Sequence, residues 1–249
     1  MTGLLIYREY AEKWFLPPAP TYENLIVQEN LPSFGRMGIF SGEKRIGFSE
    51  TLLEEMPDKS YRLTSDLEVT TAFLLQEAFI KSHMVLGFSQ AKRLQNLKLN
   101  LGGSLKLDVT GEVSDGILRL AIRVGNQTLR QEYPFKADDL LVTSFEPFGP
   151  GGRVQRLRVG SRWTVQMLNP KSLDMDTVEL KVVGKEEVSI EGKETPAYLV
   201  RMKMPGLAKE LHSWVSPSGE VLKQETPFGF TLVRESVPQE AMSTRGDND

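Results

Sequence analysis

Cysteine is absent from the 249 residues, and histidine occurs only at His83 and His212. The lack of cysteine excludes disulfide bonds, thiolate metal ligands, iron–sulfur clusters and cysteine nucleophiles. Two histidines cannot form a multi-histidine zinc site unless carboxylates supply the remaining ligands. The sequence therefore predicts neither a metal nor a cofactor.

Long apolar runs are also missing, since no stretch reaches the roughly 18 to 20 residues of a membrane-spanning helix. An excess of one charge is missing as well, because 30 lysines and arginines face 33 aspartates and glutamates. This balance gives no overall attraction to nucleic acid or to an anionic membrane. We expect no nucleic-acid partner, and any anionic partner must be met by a local patch.

The sequence does contain apolar residues that alternate with polar ones at a period of two. One example is Leu118, Leu120, Ile122 and Val124, which alternate with Arg119, Ala121 and Arg123. Turn residues separate such segments, at Ser41-Gly42, Gly102-Gly103, Asp115-Gly116, Gly125-Asn126, Glu191-Gly192 and Ser218-Gly219. The pattern predicts about a dozen antiparallel strands, among them 44–55, 60–71, 77–87, 177–189, 207–215 and 220–235.

Proline and glycine suggest where the chain is divided. Pro17, Pro18 and Pro20 end any N-terminal helix and impose an extended linker, so residues 1–33 are predicted to be a helix plus a linker. A first β half over 34–150 and a second over 151–237 follow. A short helix is expected within 138–148, before the glycine-rich crossing at 149–152, and residues 238–249 are expected to form a disordered tail.

A twisted sheet of this many strands cannot stay flat and leave its apolar face in water. Helices that could cover that face are scarce in the sequence. We therefore predict a mainly β fold with a large curled antiparallel sheet, half-barrel or barrel-like, and an N-terminal helix. Whether the sheet is continuous or forms two consecutive halves stays open at this point.

Four arginines fall close together, at Arg153, Arg156, Arg158 and Arg162. Guanidinium groups at this density can hold phosphate or carboxylate groups at a membrane surface or on a partner. The alternative is a solvated strand edge, where arginine discourages aggregation. We predict these residues as a partner or anion contact.

Soft and aromatic side chains concentrate in the second half, at Met167, Met202, Met204, Phe228 and Phe230. Methionine adapts to irregular apolar shapes, so this set is predicted to line a site for an acyl chain or a partner's side chain. The alternative is ordinary core packing.

Catalytic groups do not converge in this sequence. Glu54 and Glu55 are neighbours on a predicted strand and so point to opposite faces, as do His212 and Ser213. We therefore expect no catalytic residues and no enzymatic activity.

Several segments carry a family resemblance. Residues 38–48 (Gly-Ile-Phe-Ser-Gly-Glu-Lys-Arg-Ile-Gly-Phe), 61–63, 157–163, 195–200 and 214–222 resemble a bacterial envelope β-module found before transglutaminase-like domains. They are also distantly similar to the β-rich LolA and LolB lipoprotein carriers. The resemblance implies a periplasmic or membrane-tethered domain. Its enzymatic part does not carry over, because a transglutaminase nucleophile is a cysteine and the chain has none.

The same resemblance bears on the N-terminal segment that contains Leu4, Leu5, Ile6, Trp14 and Phe15. It implies that these residues are membrane-proximal, as the end of an anchor. The alternative is an amphipathic helix packed on the surface of the protein or of a neighbour.

Three functions compete. The first is a cell-envelope binding or assembly module that docks a protein partner through a sheet edge or an apolar surface. The second is a carrier that holds a lipid or another hydrophobic ligand inside the curled sheet. A hydrolase that uses scattered carboxylates ranks last.

Overall fold

The computed structural model of the protein describes residues 21–26, 31–73, 76–104, 106–136, 139–142, 157–168, 174–203 and 209–236. The first element in these ranges is α1, a single helical turn at Tyr22–Leu25. The strands are β1 Ser33–Ser41, β2 Lys44–Glu55, β3 Tyr61–Phe73, β4 Gln76–Phe88, β5 Leu94–Gly103, β6 Leu107–Ser114, β7 Ile117–Val124, β8 Gln127–Pro134, β9 Leu141–Val142, β10 Arg162–Leu168, β11 Met175–Ile190, β12 Lys193–Lys203, β13 Leu211–Val215, β14 Val221–Glu225 and β15 Thr231–Arg234. Within the described ranges, no helix has the length and apolar character that crossing a membrane requires.

The strands form one 15-stranded sheet in the order β8-β7-β6-β5-β4-β3-β2-β1-β15-β14-β13-β12-β11-β10-β9. Neighbouring strands are antiparallel, except that the two-residue β9 runs parallel to β10. β1 and β15 join the two predicted halves, with Ile39 opposite Leu232. The predicted mainly β fold with a large antiparallel sheet is confirmed, and both halves belong to the same sheet.

The connectivity forces this sheet to curl. Its two edge strands, β8 and β9, follow each other along the chain and are joined by residues 135–140. A flat sheet of this size would be about 67 Å wide at the usual strand spacing of about 4.8 Å. The connection spans at most about 25 Å even when fully extended. The edges must therefore approach each other. The sheet curls into a barrel-like shape that stays open between β8 and β9.

Side chains from both halves meet inside the curl. The hydroxyl of Tyr133, near the end of β8, forms a hydrogen bond with the backbone of Met175 at the start of β11. Burial and the nearby Asp174 carboxylate raise the pKa of Tyr133. One continuous core cluster contains Leu118 from the first half and Leu180 from the second, both fully buried. We call the sheet face toward this cluster the inner face, and the opposite side the outer face.

Three local predictions differ from the structure. The predicted linker contains α1, because Tyr22, Leu25 and Ile26 bury their side chains in the core. The helix predicted within 138–148 is wrong at 141–142, where β9 pairs with β10; the remainder from 143 lies outside the described residues. The single strand predicted at 220–235 is two strands, because the chain turns between Thr226 and Phe230. The predicted N-terminal helix before Pro17 and the tail at 238–249 lie outside the described residues.

The β11–β12 hairpin adds a small second layer on the outer face. A bulge between Val182 and Gly184 shifts the register of this long hairpin. Beyond the bulge, a second buried cluster forms from Val188, Ala197, Leu199, Trp214 and Leu222. The indole N–H of Trp214 donates to the Glu186 carboxylate at 3.0 Å, which ties β13 to the hairpin.

The Tyr22 side chain forms hydrogen bonds with backbone groups at the β9 edge of the sheet. Its hydroxyl donates to the Leu141 carbonyl at 3.0 Å and accepts from the Leu141 N–H at 2.9 Å. On the opposite side of β9, the Gln166 N–H donates to the Leu140 carbonyl at 2.7 Å. The Leu141 groups therefore face away from β10, where a further strand would pair. The Tyr22 ring also packs on Phe88, with ring centroids 4.7 Å apart, and burial strongly raises the pKa of Tyr22.

Replacing Tyr22 with phenylalanine should destabilise the protein at neutral pH. The ring would keep its packing on Phe88, but two buried backbone groups of Leu141 would lose their partner. We expect the free energy of unfolding to fall by about 1–3 kcal/mol, measured by chemical denaturation. The matched control is Tyr198→Phe, which removes a hydroxyl from another core-packed tyrosine and should change stability less. Equal effects of the two substitutions would contradict the role given to Tyr22.

The pH dependence gives a second readout of the same variant. Because burial raises the folded pKa of Tyr22, its stabilising contribution is complete below the unfolded pKa of about 10 and is lost as the pH rises above it. Each further pH unit should lower wild-type stability by about 1.4 kcal/mol through this group. Tyr22→Phe lacks that loss, so the stability gap should narrow above about pH 10.

Candidate functional site

Polar and charged side chains on the outer face of the first half are arranged in complementary cross-strand pairs. His83 Nδ1 lies 2.8 Å from an Asp66 carboxylate oxygen, across β4 and β3. Arg123 Nε donates to Asp108 at 3.0 Å, across β7 and β6. The Arg123 guanidinium, by this hydrogen bond, lowers the pKa of the Asp108 carboxyl. Such cross-strand pairs stabilise a sheet modestly and leave little net charge.

The outer face of the second half contains a row of like charges. The register places Arg162 directly opposite Lys181, and Lys181 directly opposite Arg201. His212 lies directly opposite Arg201, on β13. We call Arg162, Lys181 and Arg201 the basic row. Like charges directly opposite each other destabilise a sheet, so the row does not contribute to the stability of the fold.

The basic row has few acidic partners. Arg201 Nε lies 4.0 Å from a Glu210 carboxylate oxygen, and His212 Nε2 lies 3.8 Å from the same oxygen. In the described ranges, neither Arg162 nor Lys181 forms an ion pair. A local positive charge therefore remains on a protein whose formal net charge is −3.

Only part of this row was predictable. Arg162 lies in β10 within the basic row, and Arg158 is exposed on the turn just before that strand. Arg153 and Arg156 lie outside the described residues, so their predicted role stays a prediction. Lys181 and Arg201 were missed, because cross-strand register joins residues far apart in sequence. The available signal was that each residue occupies a polar position in a strand of alternating apolar and polar residues.

The predicted ligand-binding residues are dispersed. Met167 and Met202 are buried in the core on β10 and β12, which is also what ordinary packing predicts. Phe230 is partly buried against the same core, whereas Phe228 is 49% exposed in the turn between β14 and β15. Met204, like Leu4, Leu5, Ile6, Trp14 and Phe15, lies outside the described residues. Ligand contact by this set stays a prediction.

The second outstanding feature is the edge strand β8. It pairs only with β7 among the described strands, and each of its residues is exposed or half-buried. On its inner-face side Leu129 is 44% exposed, and Val124 of β7, next to the turn, is 46% exposed. Large apolar side chains are thus accessible beside an unpaired backbone edge.

Two concave sites lie on the first half of the sheet. One groove of about 720 Å³ runs over β5–β8 and includes the ion-paired Arg119 and Glu132. Another of about 490 Å³ includes His83 and Arg62. Among the described residues, no group of three His, Asp or Glu side chains could hold a metal ion.

Reversing the central charge of the basic row should stabilise the protein. Lys181→Glu would place a carboxylate between Arg162 and Arg201, and we expect the free energy of unfolding to rise by about 0.2–1 kcal/mol at low salt. The gain should shrink as salt is added. The control is Lys81→Glu, because Lys81 already forms an ion pair with Glu68 opposite it and its reversal should destabilise. Destabilisation of similar size in both variants would contradict the like-charge description of the row.

Comparison with known proteins identifies no family. No protein-family model matches the chain, and no curated protein matches it. Among solved structures, it is similar to a β-barrel-like protein of domain of unknown function DUF1849 from Brucella abortus, with 8% identity and a TM-score of 0.49 over 82% of this chain and 94% of that one. A DUF1089 family protein from Pseudomonas aeruginosa gives 14% identity and a TM-score of 0.37 over 70% and 87%. The predicted resemblance to LolA, LolB and transglutaminase-associated modules is not found among these matches and stays a prediction.

Proposed function

We propose that the protein is a non-catalytic binding module of the cell envelope that docks a protein partner by strand addition to β8. The observation that carries the proposal is the accessible edge of β8, which has a paired strand on one side only within the described ranges. Partners that add a strand gain main-chain hydrogen bonds from such an edge and specificity from alternate side chains. The envelope location rests on the sequence resemblance.

The hairpin geometry identifies which backbone groups a partner would use. Val124 and Gln127 flank the two-residue turn and are directly opposite each other, so they form the hydrogen-bonded pair that closes the hairpin. Alternation along β8 then directs the N–H and carbonyl groups of Thr128, Arg130 and Glu132 away from β7. Among the described strands, these three residues supply the main-chain donors and acceptors that pairing with β7 leaves unused.

Side chains beside the edge support the same assignment. Leu129 and Val124 are exposed on the inner-face side, and an added strand would cover them with its own apolar residues. At the opposite end of β8, Tyr133 already contacts β11 through Met175. The docking segment is therefore the half of β8 nearest the turn, around Arg130.

The other sheet edge is a poorer docking site. β9 has only two residues, and the outward backbone groups of Leu141 are hydrogen-bonded to the Tyr22 hydroxyl. A partner strand would have to displace a buried tyrosine before it gained two hydrogen bonds. This asymmetry directs the proposed docking to β8.

Carriage of a lipid inside the curl is the second candidate. It is supported by Gln224, a fully buried inner-face residue whose amide nitrogen donates to Ser213 at 3.1 Å. Its carbonyl oxygen has no hydrogen-bond partner among the described residues. A ligand with a hydroxyl or amide group could supply one. Against this, α1 and the inner-face side chains pack into one cluster, which leaves less room for an acyl chain.

A proline at position 130 tests strand addition. Arg130→Pro removes one outward N–H while the pairing with β7 keeps its hydrogen bonds, as expected for proline on an edge strand. We expect circular dichroism to show that the variant is folded. The amount of envelope partner that copurifies with it should be at least about tenfold lower than with the wild type. Native mass spectrometry of gently purified material would measure both the partner and any lipid.

The matched control is Arg130→Ala, which removes the side chain but keeps the N–H. It should retain the partner, because strand addition depends on the backbone. Retention of the same partner by Arg130→Pro would overturn docking at β8. Loss in both variants would assign recognition to the side chain. Bound lipid with no protein partner would favour the carrier.

A further inference from the structure

The basic row has features that strand addition at β8 does not use. It lies on β10–β12, in the other half of the sheet, and consists of outward-facing cations in adjacent strands. Strand spacing separates neighbouring members by about 5 Å, so the row spans about 10 Å. Charges spaced in this way can contact several anionic groups of one surface at once.

Nearby acids do not neutralise the row. Glu179 shares the outer face of β11 with Lys181, but the register places it directly opposite Lys203. Glu210 is shared between Arg201 and His212 at 3.8–4.0 Å. Arg162 and Lys181 are left without an acidic partner in the described part of the chain, so their charges are available to a ligand from solvent.

An exposed apolar side chain lies on the chain just before the row. Val159 is 53% exposed in the turn that leads into β10, next to the exposed Arg158. This turn is fixed against β11, because the Gly160 N–H donates to the Val182 carbonyl and the Val182 N–H donates to the Ser161 carbonyl, both at 2.9 Å. Cations combined with an exposed apolar residue are typical of surfaces that bind at a membrane interface.

We propose that Arg162, Lys181 and Arg201, together with Arg158 and Val159, bind the phosphate headgroups of an anionic lipid surface. Guanidinium groups bind phosphate oxygens in a bidentate manner, and lysine adds a point charge. The shape favours a surface over a small anion, because the three charges are spread over about 10 Å across adjacent strands of an exposed sheet face. Val159 places an apolar side chain beside these cations, and membrane-interface binding uses both kinds of contact.

Vesicle binding by the full chain tests this proposal. The row variant is Arg162→Gln with Lys181→Gln and Arg201→Gln, compared with the wild type on phosphatidylcholine vesicles with and without phosphatidylglycerol. Each basic residue at an anionic surface contributes about fivefold in binding. We expect the row variant to lose roughly tenfold to a hundredfold of binding to the anionic vesicles, and added salt to weaken wild-type binding.

The matched control removes three cations from the first half, as Lys81→Gln with Arg119→Gln and Arg123→Gln. This variant has the same change in net charge as the row variant, because it also replaces three cations. All three are ion-paired with acids, so its binding to anionic vesicles should fall by less than about threefold. Circular dichroism establishes that both variants are folded. Since both keep residues 1–20, any contribution of that segment to binding is the same in each.

Four results would overturn the proposal. Equal loss in the row variant and the control would make the effect one of net charge. Equal wild-type binding to vesicles with and without phosphatidylglycerol would exclude headgroup recognition. A third result is that the wild type binds inorganic phosphate, loses that binding in the row variant, and shows no preference for anionic vesicles. That combination would reassign the row to a small soluble anion. Loss of a copurified protein by the row variant, again with no vesicle preference, would reassign it to an acidic partner.

Discussion

The hydrogen bonds between Tyr22 and Leu141 occupy the edge of β9 that the strands of the sheet leave unpaired. The chain passes directly from the edge strand β8 to the edge strand β9, which brings the two edges near each other, but the described pairings include no ladder between them. A buried unpaired amide and carbonyl would be costly. One phenol hydroxyl satisfies both groups of Leu141, and its ring packs on Phe88 at the end of β4.

Because Tyr22 occupies the edge of β9, the two edges of the sheet differ, and the proposed functions follow from this difference. β9 is short and occupied, whereas β8 is longer, exposed and flanked by accessible apolar side chains. Because the inner face is filled by core residues and α1, recognition in this account falls on the free edge and on the outer face. The basic row consists of outer-face side chains on β10–β12, whereas strand addition would use the backbone of β8, so the two proposed contacts use different groups.

Alternation of apolar and polar residues was sufficient to predict the sheet, its curl and the bounds of β2 at 44–55. It could not identify α1, because a single helical turn has too little periodicity and forms only through tertiary burial of Tyr22. β9 was missed because two residues have no pattern. At the site, Arg162 was visible as part of an arginine run, but Lys181 and Arg201 join it only through cross-strand register, which the sequence alone does not specify.

Amide hydrogen exchange, resolved by residue with NMR, tests the central claim about the two edges most directly. If Tyr22 occupies the edge of β9 while β8 is free, the Leu141 amide should exchange slowly, with protection approaching that of core strands. The Arg130 amide, directed to the free edge, should exchange nearly as fast as in an unfolded chain. Exchange of Leu141 as rapid as that of Arg130 would contradict the account.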